Sequence, residues 1–225
     1  LRRQGDLLRR QDAAGGLSRY REAAAITEGV LADGPEDLER VRQHSISLNS
    51  LAQLYTDLGD LELAEATLVT SLAMAESLLE AAPEDPVRRH SVAMIHRRRA
   101  HLAKLEERLP DAEQWHRTAL VLLEENVRRY PDDVRRLRHA AWQNAMLGEV
   151  LVLRKAMDEA ETQLRAAANR AVVGCSRDPL DASQQSAVRQ LVPGACDLLL
   201  EAGRPAAASD VRRLALLALE PVLAA

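Results

Sequence analysis

Pro35-Glu36-Asp37, Pro83-Glu84-Asp85, Pro131-Asp132-Asp133 and Pro179-Leu180-Asp181 are four versions of one junction, and they decide the fold. The prolines stand 48 residues apart at each step, and the aspartate two places on keeps the same interval. A period of this length marks stacked units that bury one shared core. The register extends outward. Gly16, Ala64, Ala112, Ala160 and Ala208 share one position, and Ala23, Ser71, Ala119, Ala167 and Ala215 another. Gly59 and Gly203 share a third, with Gln11, Glu107 and Lys155 between them. We expect one elongated domain, residues 1–225, with a truncated unit (1–34), three full units (35–82, 83–130, 131–178) and a worn capping unit (179–225).

Between junctions the apolar pattern is helical. Val41, Leu48, Leu51, Leu54, Tyr55 and Leu58 recur at three- and four-residue intervals, Leu58-Gly59-Asp60 turns, and Leu61, Ala64, Leu68, Leu72, Ala75 and Leu79 form a second stripe. Pro83 stops that helix, because the residue before a proline is driven out of the α region. Asp37, Asp85, Asp133 and Asp181 then stand where an N-cap belongs, and Pro86 sits at the first helical position, where a missing N–H costs nothing. Arg40, Arg88 and Arg136 follow three residues after the cap, placed to pair with it. Val192-Pro193-Gly194 falls inside the first helix of the last unit and predicts a kink or break near residues 189–194.

Composition agrees and excludes several functions. The chain is 47% hydrophobic, only 2% aromatic and without Phe, which suits close-packed helices and an all-α fold. Its net charge of −4 offers no basic field to nucleic acid, and the scarcity of stacking aromatics also weighs against RNA. No apolar run is long enough for a membrane span, so no membrane partner is expected. Two cysteines fit neither a disulfide framework nor a zinc site, and a reducing cytoplasm is the expected location. Cys196 reads as a buried filler, and Cys175, near Arg177, as a lone thiol. His90, His96 and His101 are not spaced as a ligand pair on adjacent turns, and phosphate loops, nucleophile elbows and zinc-protease motifs are absent, so neither enzyme activity nor a metal or other cofactor is expected. The start at Leu1-Arg2-Arg3, mid-unit, suggests an excerpt of a larger protein.

These small residues resemble the tetratricopeptide repeat (TPR), whose 34-residue unit has small residues at positions 8, 20 and 27, an aromatic at 24 and Pro at 32. With Ala64 at position 20, Ala52, Ala100, Gly148 and Cys196 take position 8, and Ala23, Ser71, Ala119, Ala167 and Ala215 take position 27. Position 24 holds Tyr20, Leu68, His116, Leu164 and Arg212, so the aromatic survives once, and the proline arrives at 83 instead of 76. The units are therefore lengthened, by about two turns in each helix. The resemblance implies a right-handed superhelix (an α-solenoid) of antiparallel helix pairs, serving as a non-catalytic protein-interaction scaffold. Such long units resemble those joined to kinase, protease or nucleotide-hydrolysing domains in bacterial multidomain signalling proteins. A regulatory or sensor array for a catalytic domain outside the excerpt is the alternative, and RNA binding a third class.

In this family the first helices line a concave groove. Carried over, its positions give Ile46, Asn49, Ser50, Gln53, Thr56 and Asp57 in the second unit, Met94, Arg97, Arg98, His101, Lys104 and Leu105 in the third, and Trp142, Ala145, Met146, Glu149, Val152 and Leu153 in the fourth. Arg97, Arg98, His101 and Lys104 gather cationic groups suited to a carboxylate or phosphate, while Trp142 and Met146 suit an apolar side chain. The competing reading makes Arg97-Arg98-Arg99 a solvated face screened by Glu106 and Glu107. Asn49, Gln53, Arg97, Arg98, His101, Lys104, Trp142 and Met146 are the candidate partner-binding residues. The expected partner is a protein or peptide, acidic in character, or another domain of the same full-length chain.

Overall fold

The junction chemistry predicted from sequence recurs in three dimensions at each described boundary. The computed structural model describes the backbone of residues 2–34 and 36–223, with side chains for 17–34 and 36–216. Leu1, Pro35 and the side chains of Arg2, Arg3, Gln11, Asp12 and Gly16 lie outside the described residues. Those described form nine helices and no strand: α1 (Arg2–Ala32), α2 (Leu38–Leu58), α3 (Leu61–Ala81), α4 (Pro86–Leu105), α5 (Leu109–Arg129), α6 (Val134–Leu153), α7 (Met157–Arg177), α8 (Ala182–Glu201) and α9 (Pro205–Leu223). The 48-residue period thus resolves into paired helices, 21 residues in α3 and 20 in α4.

At the junctions Ala82, Tyr130 and Asp178 end their helices with extended φ values of −150°, −131° and −137°, as a following proline demands. The amides of Asp85, Asp133 and Asp181 then bond the carbonyls of Ala82, Tyr130 and Asp178 at 3.1, 3.2 and 3.3 Å, closing four-residue turns with Pro in second place. Each aspartate caps the next helix: Asp85 accepts from the Val87 amide at 2.7 Å and Asp181 from the Ser183 amide at 2.7 Å. The arginine three residues on pairs with its cap, Arg88 with Asp85 at 3.3 Å and Arg136 with Asp133 at 3.1 Å. Arg40 and Arg88 also reach back ten residues, to the carbonyls of Val30 at 2.9 Å and Leu78 at 2.7 Å.

Within each helix pair the turn is equally regular. Gly59, Glu107, Lys155 and Gly203, all on one repeat position, have φ of 84°, 59°, 61° and 71°. The next amide bonds a carbonyl five residues back, Asp60 to Tyr55, Ala156 to Leu151 and Arg204 to Leu199, which is the Schellman ending of a helix. Helix α1 has no such turn, running unbroken past residue 11. Nor does α8 break: it continues through Pro193 to Glu201, so of the kink or break expected from sequence the break does not occur. Pro193 stands on the exposed side of α8, so the carbonyl that loses its N–H partner remains open to water.

The chain divides into two compact units, residues 1–106 and 107–225. In the first, α1 packs on α2, α2 on α3 and α3 on α4, while α2 also touches α4. In the second, α5 to α9 each pack on the next helix, and α6 touches α8 as α7 touches α9. This is the local arrangement of an α-solenoid. The repeated small residues form its close contacts: Ala52, Ala64, Ala100, Ala112, Ala119, Ala160 and Ala167 have no exposed surface. An added Cβ at Gly148 would come within 2.7 Å of Leu164 Cγ. Leu68 and Leu164, at the position where the 34-residue scheme has an aromatic, are wholly buried. His116 is buried at the same position and bonded through Nδ1 to Gln143 at 2.9 Å. Cys175 and Cys196 are buried thiols, and burial pushes both upward in pKa.

Candidate functional site

In the first unit, α2 and α4 present two facing rows of side chains. Glu39, Arg42, Ile46, Ser50, Gln53 and Asp57 recur at helical spacing along α2, and Val87, Ser91, Met94, Arg98 and His101 do so along α4. The rows meet where Arg98 donates through Nη1 to Gln53 Oε1. Gln53 in turn donates through Nε2 to Asp57 Oδ1 at 2.8 Å. A chain of three side chains thereby fixes the Arg98 guanidinium with its charge turned to the seam.

The three consecutive arginines part company. Arg99 turns to α3 and bonds Glu65 at 2.6 Å, with its side chain 16% exposed, so it is a packing residue and not part of a solvated face. Arg97 is half-buried, and no hydrogen bond or ion pair reaches it among the described residues. Burial lowers its pKa, and the neighbouring cation Arg98 lowers it further. Burial lowers Arg98 as well, against the opposing pull of Asp57. His101 is exposed and Lys104 half-buried one and two turns beyond Arg97. On α2, Asn49 is half-buried, with its Oδ1 buried and without a hydrogen-bond partner. The structure therefore brings Gln53 and Arg98 into contact, with Asp57 completing the chain. Trp142 and Met146 lie on α6 in the second unit, both half-buried, and Trp142 packs on the core formed by α7, α8 and α9.

Sequence reasoning missed the opposite end of the same face. Glu39, Arg42, Ile46, Val87, Arg88 and Ser91 surround a cleft of about 280 Å³ between α2 and α4. Its floor is Ala75 and Leu78 of α3. Most of these residues precede the point where the 34-residue scheme starts numbering. The signal that could have exposed the cleft is the continuation of each stripe into the added turns.

No family model and no curated protein matches the chain. Twenty-four chains of solved structures do. One is the crystal structure of BtubC (BKLC) from P. vanneervenii, 17% identical, with a TM-score of 0.54, covering 92% of this chain and 90% of that one. At that identity the likeness bears on the fold alone, and it supports the all-α array of paired helices. No helix among the described residues is long and apolar enough to cross a membrane.

Proposed function

We propose that the chain is a non-catalytic interaction scaffold of lengthened tetratricopeptide type, whose α2/α4 face holds a carboxylate-bearing peptide segment of a partner protein. The observation that carries this reading is Arg97, a half-buried guanidinium with no hydrogen bond or ion pair among the described residues and a second cation beside it. A partly desolvated cation next to another gains most from an incoming anion, and a guanidinium fork meets a carboxylate with two parallel hydrogen bonds. Gln53 and Asp57 hold Arg98 in place beforehand, so little side-chain freedom is lost on binding.

Fluorescence anisotropy with a labelled Asp/Glu-containing peptide and its Asn/Gln counterpart tests this. The acidic peptide should bind at least tenfold more tightly, and Arg97→Glu combined with Arg98→Glu should remove that difference, about 1.4 kcal/mol. Circular dichroism should report unchanged helix content. Equal binding of the two peptides, or full affinity in a folded double variant, would sink the proposal.

A further inference from the structure

The cleft and Arg98 occupy two ends of one face, with Arg97 next to Arg98 on α4, and their chemistry differs. Around the cleft, every polar side chain is already satisfied within the protein. Glu39 accepts from Arg42 at 2.7 Å and Gln43 at 2.7 Å, and this holds its carboxyl down at about 2. Asp85 is engaged by the α4 amides and by Arg88, whose other contact is the Leu78 carbonyl. Ser45 exchanges hydrogen bonds with Ser71, and the Ser91 hydroxyl returns to the Val87 carbonyl at 3.0 Å. What the cleft has left to offer is apolar surface. Ile46 is 44% exposed and Val87 59% exposed, above Ala75 and Leu78. Paired charges ring this end, whereas Arg97, which no hydrogen bond or ion pair reaches among the described residues, stands at the other beside Arg98.

Resting on the carboxylate reading above, we infer that this face recognises an extended peptide at two points. One is an aliphatic side chain seated between Ile46 and Val87, and the other is a carboxylate held at Arg97 and Arg98. The helix sets the spacing. From Val87 to Arg98, α4 rises about 16 Å at 1.5 Å per residue, which an extended strand covers in about five residues. Met94 lies between the two ends on the same row, an adaptable side chain over which the intervening peptide passes. The ligand class is therefore an extended segment of a partner protein with Leu, Ile or Val and Asp or Glu about five positions apart. Acidity alone does not complete the match, because the neutralised cleft end gains nothing from a second carboxylate.

The test uses the whole chain and labelled peptides on a Gly-Ser-Thr background. Each carries one Leu and one Glu, separated by two, five or eight positions, in both orders. In one order, the five-position peptide should bind about tenfold more tightly than the other spacings. Replacing its Leu by Ser should cost about tenfold on the native chain and nothing on Ile46→Asp or Val87→Asp, two exposed positions where folding is insensitive. Replacing its Glu by Gln should cost as much on the native chain, several-fold less on Arg97→Gln, and nothing on Arg97→Gln combined with Arg98→Gln. Indifference to spacing, or a Leu contribution that survives both cleft variants, overturns the two-point inference. If the Leu has no effect while the Glu does, the cleft is no subsite and the carboxylate reading stands. Without any Glu contribution both readings fall.

Discussion

Lys155 and Glu107 hold left-handed backbone that side-chain-bearing residues adopt at a cost of about 1–2 kcal/mol, while Gly59 and Gly203 adopt it freely at the same repeat position. Lys155→Gly should therefore raise stability by about 0.5–1 kcal/mol once the extra freedom of glycine in the unfolded chain is deducted. Urea unfolding measures it, and Lys155→Ala, which keeps the strain, should show no gain. The sequence marked this position as a turn through its two glycines. It could not show that lysine and glutamate take the same conformation, because that depends on the helices on either side fixing the geometry of the connection. Ser45 and Ser71 illustrate the same limit. Both stand where later repeats place Ala93, Ala119, Ala141 and Ala167, and only the packed pair reveals that their hydroxyls bond one another across the contact.

Among elements, the junctions were the most legible, since proline, aspartate and arginine act there over a few residues of chain. Asp133 caps α6 through the Arg135 amide at 3.0 Å and pairs with Arg136. Burial raises its pKa, but the Arg135 and Arg136 contacts outweigh that and leave it lowered. A folded carboxyl with a lowered pKa stabilises fully above its unfolded value, near 3.8, and the contribution is lost as pH falls through the folded value. Asp133→Ala should cost about 1 kcal/mol at neutral pH. The gap between variant and parent should narrow on acidification below the ordinary carboxylate range, as followed by chemical denaturation. Helix α8 stays unbroken with Pro193 on its exposed side, and the side of a helix that a residue occupies follows only from packing.

For the molecule as a whole, stability should decline on mild acidification. His96 is buried beside Arg99, and burial first, then that cation, lower its pKa from 6.5 to about 4. The fold therefore keeps the ring neutral. Its contribution is complete above pH 6.5 and is lost as pH falls from there to about 4, by on the order of 2 kcal/mol. Thermal unfolding of the parent across that window should show the slope, and His96→Gln should flatten it. The candidate site was legible in part. Helical spacing placed Gln53 and Arg98 on facing rows, but the separate directions of Arg97, Arg98 and Arg99 and the cleft in the added turns required the packed helices. The proline junctions have one more consequence, in the order of folding. Each unites a turn and a cap, and at two of them an arginine reaches only ten residues back, from Arg88 to Leu78 and from Arg40 to Val30. Closing so short a loop costs little entropy, so the corners joining one helix pair to the next can form early and locally, before distant parts of the chain have met.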